Sequence, residues 1–446
     1  MMTLSALAAT APVVRPSGET VSAQEYRIFQ GIKAQLANTA LATQGNWQIV
    51  WIGLTQDRAN LAYIAQKGSD PTYAVVLRGT VLGSPIDTLE DIDVKELLPF
   101  ACGGGGNISQ GAMQAFTEIL SATDTSGADK LQGLSLLQAL GSLFGSSFPL
   151  VYVTGHSLGG AMATTVALFL ASQSWGNASP VFQVYTFAAP TAGDQSFATN
   201  FNSVFPAGDS HKLDIFPKPK PVFYGTWNRF DVVPNAWWNL VKPKDAGELA
   251  DEDDIIFGYK YAEDFFPKPG PKSTVTVKEI IKHVASLTGT NVYVQPKLQE
   301  RLNNDYHLHG HYTSSGSSTD QSDPRPKSVA DWLAEVGLQH ENNSYLLLLN
   351  AALIPTVAPA IQSISPTSGP TGGNTQVTIS APHGITFSSD SAVDFGVVGG
   401  TNVQVAPGGA SLTVDSPAGF GVVDIFVTNK FGTSARVTAD QFTYTS

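Results

Sequence analysis

The sequence predicts an α/β fold with a mainly parallel sheet over residues 1–357, followed by an all-β unit over 358–446. Three observations carry that expectation. Apolar β-type runs alternate with helical patterns through the first part, the arrangement that buries a parallel sheet between two helical layers. A glycine-flanked serine, Gly155-His156-Ser157-Leu158-Gly159, stands between an unbroken apolar run and an alanine-rich segment. Helical patterning stops at the stretch 355–359, and short β-type runs with Gly and Pro turns continue from there. At 446 residues, with 42% hydrophobic and 14% charged residues, the chain is globular in composition and too long for one ordinary core.

The elements follow in order. Residues 4–14 are apolar, lack the basic leader of a secretory signal, and read as a tail, mobile or docked on the surface. Ile28, Ile32, Leu36 and Leu41 stand among polar residues and predict an amphipathic helix over 21–43. Trp47–Leu54, 60–66 and 73–77 are rich in β-branched and aromatic residues and bounded by turn formers, as strands are. Helices near 110–120 and 129–143 lead into 150–153, an apolar run suited to a strand buried on both faces. A helix begins at Ser157, a strand spans 181–187, and another ends just before Asp231. Over 205–326 Pro, Lys, Gly and acidic residues set the texture of a long, loop-rich insertion. A helical segment over 328–336 then precedes His340 and the apolar run 345–349.

Glycine on both sides of Ser157 permits a cramped strand-to-helix turn that lifts the hydroxyl above the sheet. The helix start beside it presents backbone N–H groups to a developing oxyanion. A serine hydroxyl is a poor nucleophile near neutral pH, so it needs a histidine to take its proton and an acid to orient that histidine. Both partners are expected downstream, the acid before the histidine. Asp231, in Asp231-Val232-Val233-Pro234, sits where a strand meets a proline turn and is the favoured acid; Asp194 and Asp214 compete. Among His211, His283, His307, His309, His311 and His340, the favoured base is His340, on the chain returning to the main body, with His311 the alternative. His383 belongs to the all-β unit.

With these residues in hand, the first part resembles the class 3 lipases, an α/β-hydrolase family. Val75-Val76-Leu77-Arg78-Gly79-Thr80 is similar to that family's strand and Arg-Gly-Ser/Thr motif, 88–92 and 111–116 to the segments after it, and Thr186-Phe187-Ala188-Ala189-Pro190 to the strand after the nucleophile helix. Asp231 with Val233-Pro234 resembles the acid motif, and His340 with Tyr345 the histidine motif. The resemblance implies a Ser157, Asp231, His340 triad, an oxyanion hole at Thr80 and Leu158, and hydrolysis of carboxylic esters, acylglycerols or other lipid esters foremost. The insertion between Asp231 and His340 is longer than this family needs, which keeps His311 in play. Residues 359–446 resemble the IPT/TIG immunoglobulin-like family, from the opening 359–366 and Ser368-Gly369-Pro370 to the closing Gln441-Phe442-Thr443-Tyr444. That implies an immunoglobulin-like sandwich.

Other classes are disfavoured. A net charge of −12 argues against nucleic acid as a partner, because a phosphate-binding surface needs clustered Lys and Arg. Its single cysteine, Cys102, excludes an intramolecular disulfide, and no apolar run is long enough for a transmembrane segment. His307, His309 and His311 alternate but lack a completing ligand, and the acidic run 251–254 lacks the spacing of a calcium loop, so neither a metal nor another cofactor is expected. The expected partner is an ester substrate, met at a lipid-water interface if 81–107, with its apolar 97–100 and Gly103 to Gly106, is a hinged lid. Low charge and abundant Gly and Pro lean towards an exported protein. Competing readings keep the same triad for a feruloyl-type esterase or an acyltransferase, or make the chain a surface-binding protein with a degenerate hydrolase.

Overall fold

The computed structural model describes residues 1–9, 20–78, 92–128, 130–208, 219–228, 231–238, 277–297, 300–302, 329–354, 359–382, 385–389, 391–429, 432–434 and 436–445. The chain opens with helices α1 (Met2–Ala8) and α2 (Val21–Leu36), then strands β1 (Trp47–Leu54), β2 (Leu61–Lys67) and β3 (Thr72–Arg78). A short hairpin, β4 (Leu97–Pro99) and β5 (Asn107–Ser109), precedes helices α3 (Gln110–Ser121) and α4 (Leu136–Phe144). Strand β6 (Leu150–His156), helix α5 (Leu158–Ala171), strand β7 (Val181–Phe187), helix α6 (Gln195–Val204) and strand β8 (Val222–Asn228) follow. Helix α7 (Val277–Ser286), strand β9 (Glu300–Leu302) and helices α8 (Val329–His340) and α9 (Asn342–Leu348) complete this part.

Seven strands form one sheet in the order β1-β2-β3-β6-β7-β8-β9. Its first three are an antiparallel meander and the remainder run parallel, so the sheet is mainly parallel. Side chains alternate across it, as strand geometry requires. Trp51, Ile64, Val75 and Leu77 pack beneath α3, α4 and α5 on one face. Ile52, Tyr63, Ala65 and Val76 pack with α1, α2 and α9 on the other.

The N-terminal segment corrects the tail expectation. All seven residues of α1 are buried. Tyr63 donates from its hydroxyl to the Leu4 carbonyl at 2.7 Å, and the Ser5 and Thr154 hydroxyls pair at 2.9 Å. A short helix with no charged face finds its lowest free energy enclosed on every side, and here it fills space against β3, β6 and α9. Residues 10–14 lie outside the described residues. Helix α2 ends at Leu36, short of 43, because Asn38 turns the chain by accepting the Ala40 N–H at 3.0 Å. Helix α4 starts at Leu136, later than 129, where Ser135 and Gln138 form a capping box.

The 205–326 insertion is more ordered than its texture predicts, for α7 and the edge strand β9 lie within it. Ile281 and Val284 of α7 join Val232, Val233, Trp332 and Val336 in a third apolar cluster. That cluster packs α8, which ends at His340, against the turn that carries Asp231. The run 251–254 and His307, His309 and His311 lie outside the described residues.

The C-terminal region is β-rich. Strands β10 (Ser363–Ser365), β11 (Ser368–Pro370), β12 (Gln376–Ser380), β13 (Ala392–Phe395) and β14 (Val398–Gly399) open it. β15 (Thr401–Val405), β16 (Ser411–Asp415), β17 (Gly421–Asn429), β18 (Gly432–Thr433) and β19 (Gln441–Thr445) follow. One sheet is ordered β10-β12-β16-β15; the other runs β11-β19-β17-β13-β14, with β18 paired to β17. Val377, Ile379, Leu412 and Val414 from the first face Val393, Phe395, Ile425 and Phe442 from the second in a core of their own.

Candidate active site

Strand β6 ends at His156 and α5 starts at Leu158, leaving Ser157 alone to make the turn. Its backbone takes φ 57° and ψ −132°, a conformation strained for any residue with a Cβ. Packing holds it there. A Cβ at Gly155 would stand 2.1 Å from the Gly159 carbonyl oxygen, and one at Gly159 would stand 2.1 Å from that of Leu77. Only glycine fits at either place, so the two glycines of the motif are steric requirements of the turn. The Ser157 N–H donates to Phe187 on β7 at 2.9 Å, which fixes the turn to the sheet.

The structure brings Asp231 and His340 to this serine. His340 Nδ1 lies 2.8 Å from Asp231 Oδ2, and His340 Nε2 lies 2.8 Å from Ser157 Oγ. An ionised carboxylate only accepts, so the imidazole proton sits on Nδ1 and Nε2 is left to accept from the serine hydroxyl. Asp231 is fully buried, and His340 is nearly so. Oδ1 of Asp231 accepts the Val233 N–H at 3.0 Å, closing the turn after β8, while Oδ2 also accepts the Tyr345 hydroxyl at 2.8 Å. Burial and the Asp231 charge push the Tyr345 phenol well above its usual range, so it stays a donor. The His156 ring lies 4.9 Å from that of His340, tilted by 44°, and burial followed by the His340 charge holds His156 well below the usual histidine range.

Of the competing residues, Asp194 and His283 lie elsewhere. Asp194 caps α6 by accepting the Phe197 N–H at 2.9 Å and binds Asn107 through its backbone and side chain. Burial pushes its carboxyl up, but the hydrogen bonds from Phe197 and Asn107 outweigh that and hold it below the usual range. His283 sits exposed near the end of α7. His211, His311, His383, Asp214 and Thr80 lie outside the described residues. Leu158 is the first residue of α5, where a backbone N–H has no partner within the helix.

Beside Leu158 a cavity of about 190 Å³ runs between α3 and α5. Ile92, Met162, Pro190 and Trp237 make apolar wall, and Asp57, Asn60 and Glu118 lie along its polar side. The described half of the 81–107 segment is not a lid underside: Phe100 is buried against Phe116 and Phe197 in the main core. Gly103 and Gly106 pack closely, since a Cβ on Gly106 would meet the Phe197 nitrogen at 2.3 Å and one on Gly103 would meet Leu168 at 2.4 Å, while Gly105 has open space beside it. Residues 81–91 lie outside the described residues. Among the described residues, no group of three or more His, Cys, Asp or Glu could hold a metal ion, and no helix is long and apolar enough to cross a membrane.

The sequence profile described as Lipase (class 3) matches residues 74–239. This segment is similar in sequence to the class 3 lipases. It runs from β3 past the acid turn and so includes Ser157 and Asp231. A 55-residue stretch is 47% identical to the Lipase-like PAD4 of Arabidopsis thaliana, spanning 12% of this chain and 10% of that protein. The crystal structure of M37 lipase superposes with TM-score 0.54 at 20% identity, covering 78% of this chain and 92% of the other. That likeness speaks to the fold, which is an α/β-hydrolase. Lipase II from Rhizopus niveus matches at 20% identity over 48% of this chain and 73% of its own, with TM-score 0.33, and Lip2 lipase from Yarrowia lipolytica at 19%, 48% and 72%, with TM-score 0.34.

Outside the expected set, the structure adds Asn228 and Gln339 to the surroundings of the site. Nothing local in the sequence marks either one. Asn228 ends a strand and Gln339 occupies a helix, positions that polar residues fill for many reasons.

Proposed function

We propose that this protein is a serine hydrolase of carboxylic esters, lipid esters foremost, with Ser157 as nucleophile, His340 as general base and Asp231 as the acid that orients it. The observation that carries this reading is the unbroken chain of two 2.8 Å contacts from Asp231 through His340 to Ser157 on a strained turn. The class 3 lipase match over 74–239 supports the ester chemistry. His340 Nε2 takes the hydroxyl proton as Ser157 Oγ bonds to the acyl carbon, and the carbonyl electrons move onto oxygen. The Leu158 N–H and the Thr80 donors are the oxyanion hole of this reading. His340 then gives its proton to the leaving alcohol. Water, deprotonated by the same histidine, releases the acid and frees Ser157. The cycle uses no cofactor.

The apolar cavity wall beside Leu158 suits an acyl chain, which favours a lipid ester over a small polar one. For the C-terminal region we adopt the IPT/TIG immunoglobulin-like sandwich, a reading supported by two sheets sharing one core. Hydrolysis of 4-nitrophenyl esters by the full chain, with Ser157→Ala inert, is the expected result. A fluorophosphonate probe should attach to Ser157, as located by mass spectrometry. Inertness of the unaltered protein towards activated esters, or labelling at another residue, overturns the reading. His340→Ala should also be inert and His311→Ala active.

A further inference from the structure

Asn228 closes β8 three residues before Asp231, and it is 1% exposed. Its backbone N–H, its backbone carbonyl and its side-chain Nδ2 all engage the machinery around it. Its carbonyl accepts the Asp231 N–H at 3.0 Å, forming the turn on which the acid sits. Its backbone N–H donates to the Tyr345 oxygen at 2.8 Å, and Tyr345 in turn donates to Asp231 Oδ2. Its side-chain Nδ2 donates to the Gln339 carbonyl at 3.0 Å and to Gln339 Oε1 at 2.7 Å. Gln339 immediately precedes His340, is fully buried, and donates to Glu335 one turn earlier at 2.6 Å.

The geometry points to Asn228 as the positioning residue that sets the acid and the base relative to one another. This inference rests on the triad reading above. The main chain of Asn228 governs Asp231, directly through the turn and indirectly through Tyr345. Its side chain governs His340, because α8 ends at that histidine and its last turn is tied to β8 at Gln339. The apolar cluster of Val232, Val233, Trp332 and Val336 brings α8 against the acid turn, and the Asn228–Gln339 pair adds the directional tie that apolar packing does not supply: the acid and the base are 109 residues apart, and the chain between them carries the insertion. Both acceptors on Gln339 face an amide with two hydrogens, so the pairing demands a donor. An asparagine supplies that; an aspartate of the same shape does not.

Asn228→Asp is therefore the deciding variant, with Asn228→Ala beside it. Each keeps the backbone bonds to Asp231 and Tyr345 and removes the tie to Gln339. Since an error on the order of 1 Å in a reacting geometry costs about 10²-fold in rate, kcat on a soluble ester should fall by about 10- to 100-fold with KM little changed. In Asn228→Asp the ratio of kcat to that of the unaltered protein should rise as pH falls, because a protonated carboxyl regains one donor for Gln339. A role in packing alone would leave that ratio flat, since the two side chains have nearly equal volume. A second readout is independent of turnover. The low-field proton resonance of His340 Nδ1–H, assigned by its loss in His340→Ala, should broaden or disappear in Asn228→Ala at a temperature where circular dichroism shows the fold retained. An unaltered resonance, an unchanged kcat in both variants, or a pH-independent ratio overturns the inference. If the unaltered protein turns over no ester at all, the triad reading fails, and the resonance still decides whether Asn228 holds His340 to Asp231.

Discussion

At the scale of single residues, burial bears on an acid outside the candidate site. Glu25 on α2 is fully buried. Burial lifts its carboxyl from 4.5 to about 7; bonds from the Thr125 N–H and hydroxyl oppose the shift, and neighbouring Asp124 adds to it. Its folded value lies above its unfolded one, so the native state binds the extra proton between those two values and stability falls as pH rises through that window. Glu25→Gln should raise the urea midpoint at pH 8 and change it little at pH 5; equal midpoints at both would show that the carboxyl pays no such penalty. Tyr345→Phe removes one of two donors to Asp231 Oδ2 without disturbing ring packing, so kcat should drop about 10-fold, within the range of one lost charge-assisted hydrogen bond. The turn at Ser157 was legible in the sequence because its constraint is local: two glycines, one strand before and one helix after. The tie between Asn228 and Gln339 was not, because it joins positions 111 residues apart and draws on residue types found anywhere.

Between residue and molecule stand the elements, and α1 is the one the sequence misrepresents. Its apolar composition is plain, but whether such a segment trails in solvent or fills the interior depends on the hole awaiting it, and that hole is made by β3, β6 and α9 together. The parallel strands were easier to read, since a strand buried on both faces shows an unbroken apolar run whatever packs on it. Leu4→Ala separates the alternatives. Leu4 is 1% exposed, so truncation should cost about 2–5 kcal/mol, whereas a tail would lose nothing. Chemical denaturation reads the difference directly. Helix α5 makes the opposite case, because its N-terminal residues touch the sheet too closely to change: a Cβ at Gly160 would come within 2.7 Å of that of Ala189.

On the scale of the whole molecule, the chain divides its labour between a region that holds the candidate chemistry and a β-rich region with a separate core. The C-terminal cluster draws only on residues from Ile361 to Tyr444, and Ser157, Asp231, His340 and Leu158 all precede it. Contact between the two regions includes the Ser389 hydroxyl, which donates to the Gly31 carbonyl on α2 at 2.6 Å. Helix α2 packs on the sheet face opposite α5, so this contact lies across the sheet from the Leu158 cavity. A chain ending at Ala358 should therefore hydrolyse a soluble ester at a near-normal rate. Its melting temperature should fall, because a docked partner that binds only the folded state stabilises it and α2 would lose that cover. Activity on an emulsion should fall further than activity on the soluble ester if the β-rich region helps the enzyme settle on an insoluble surface. Loss of soluble-ester turnover by a truncated chain with a native circular dichroism spectrum would mean that the C-terminal region reaches the reacting groups, and the separation drawn here would have to be abandoned.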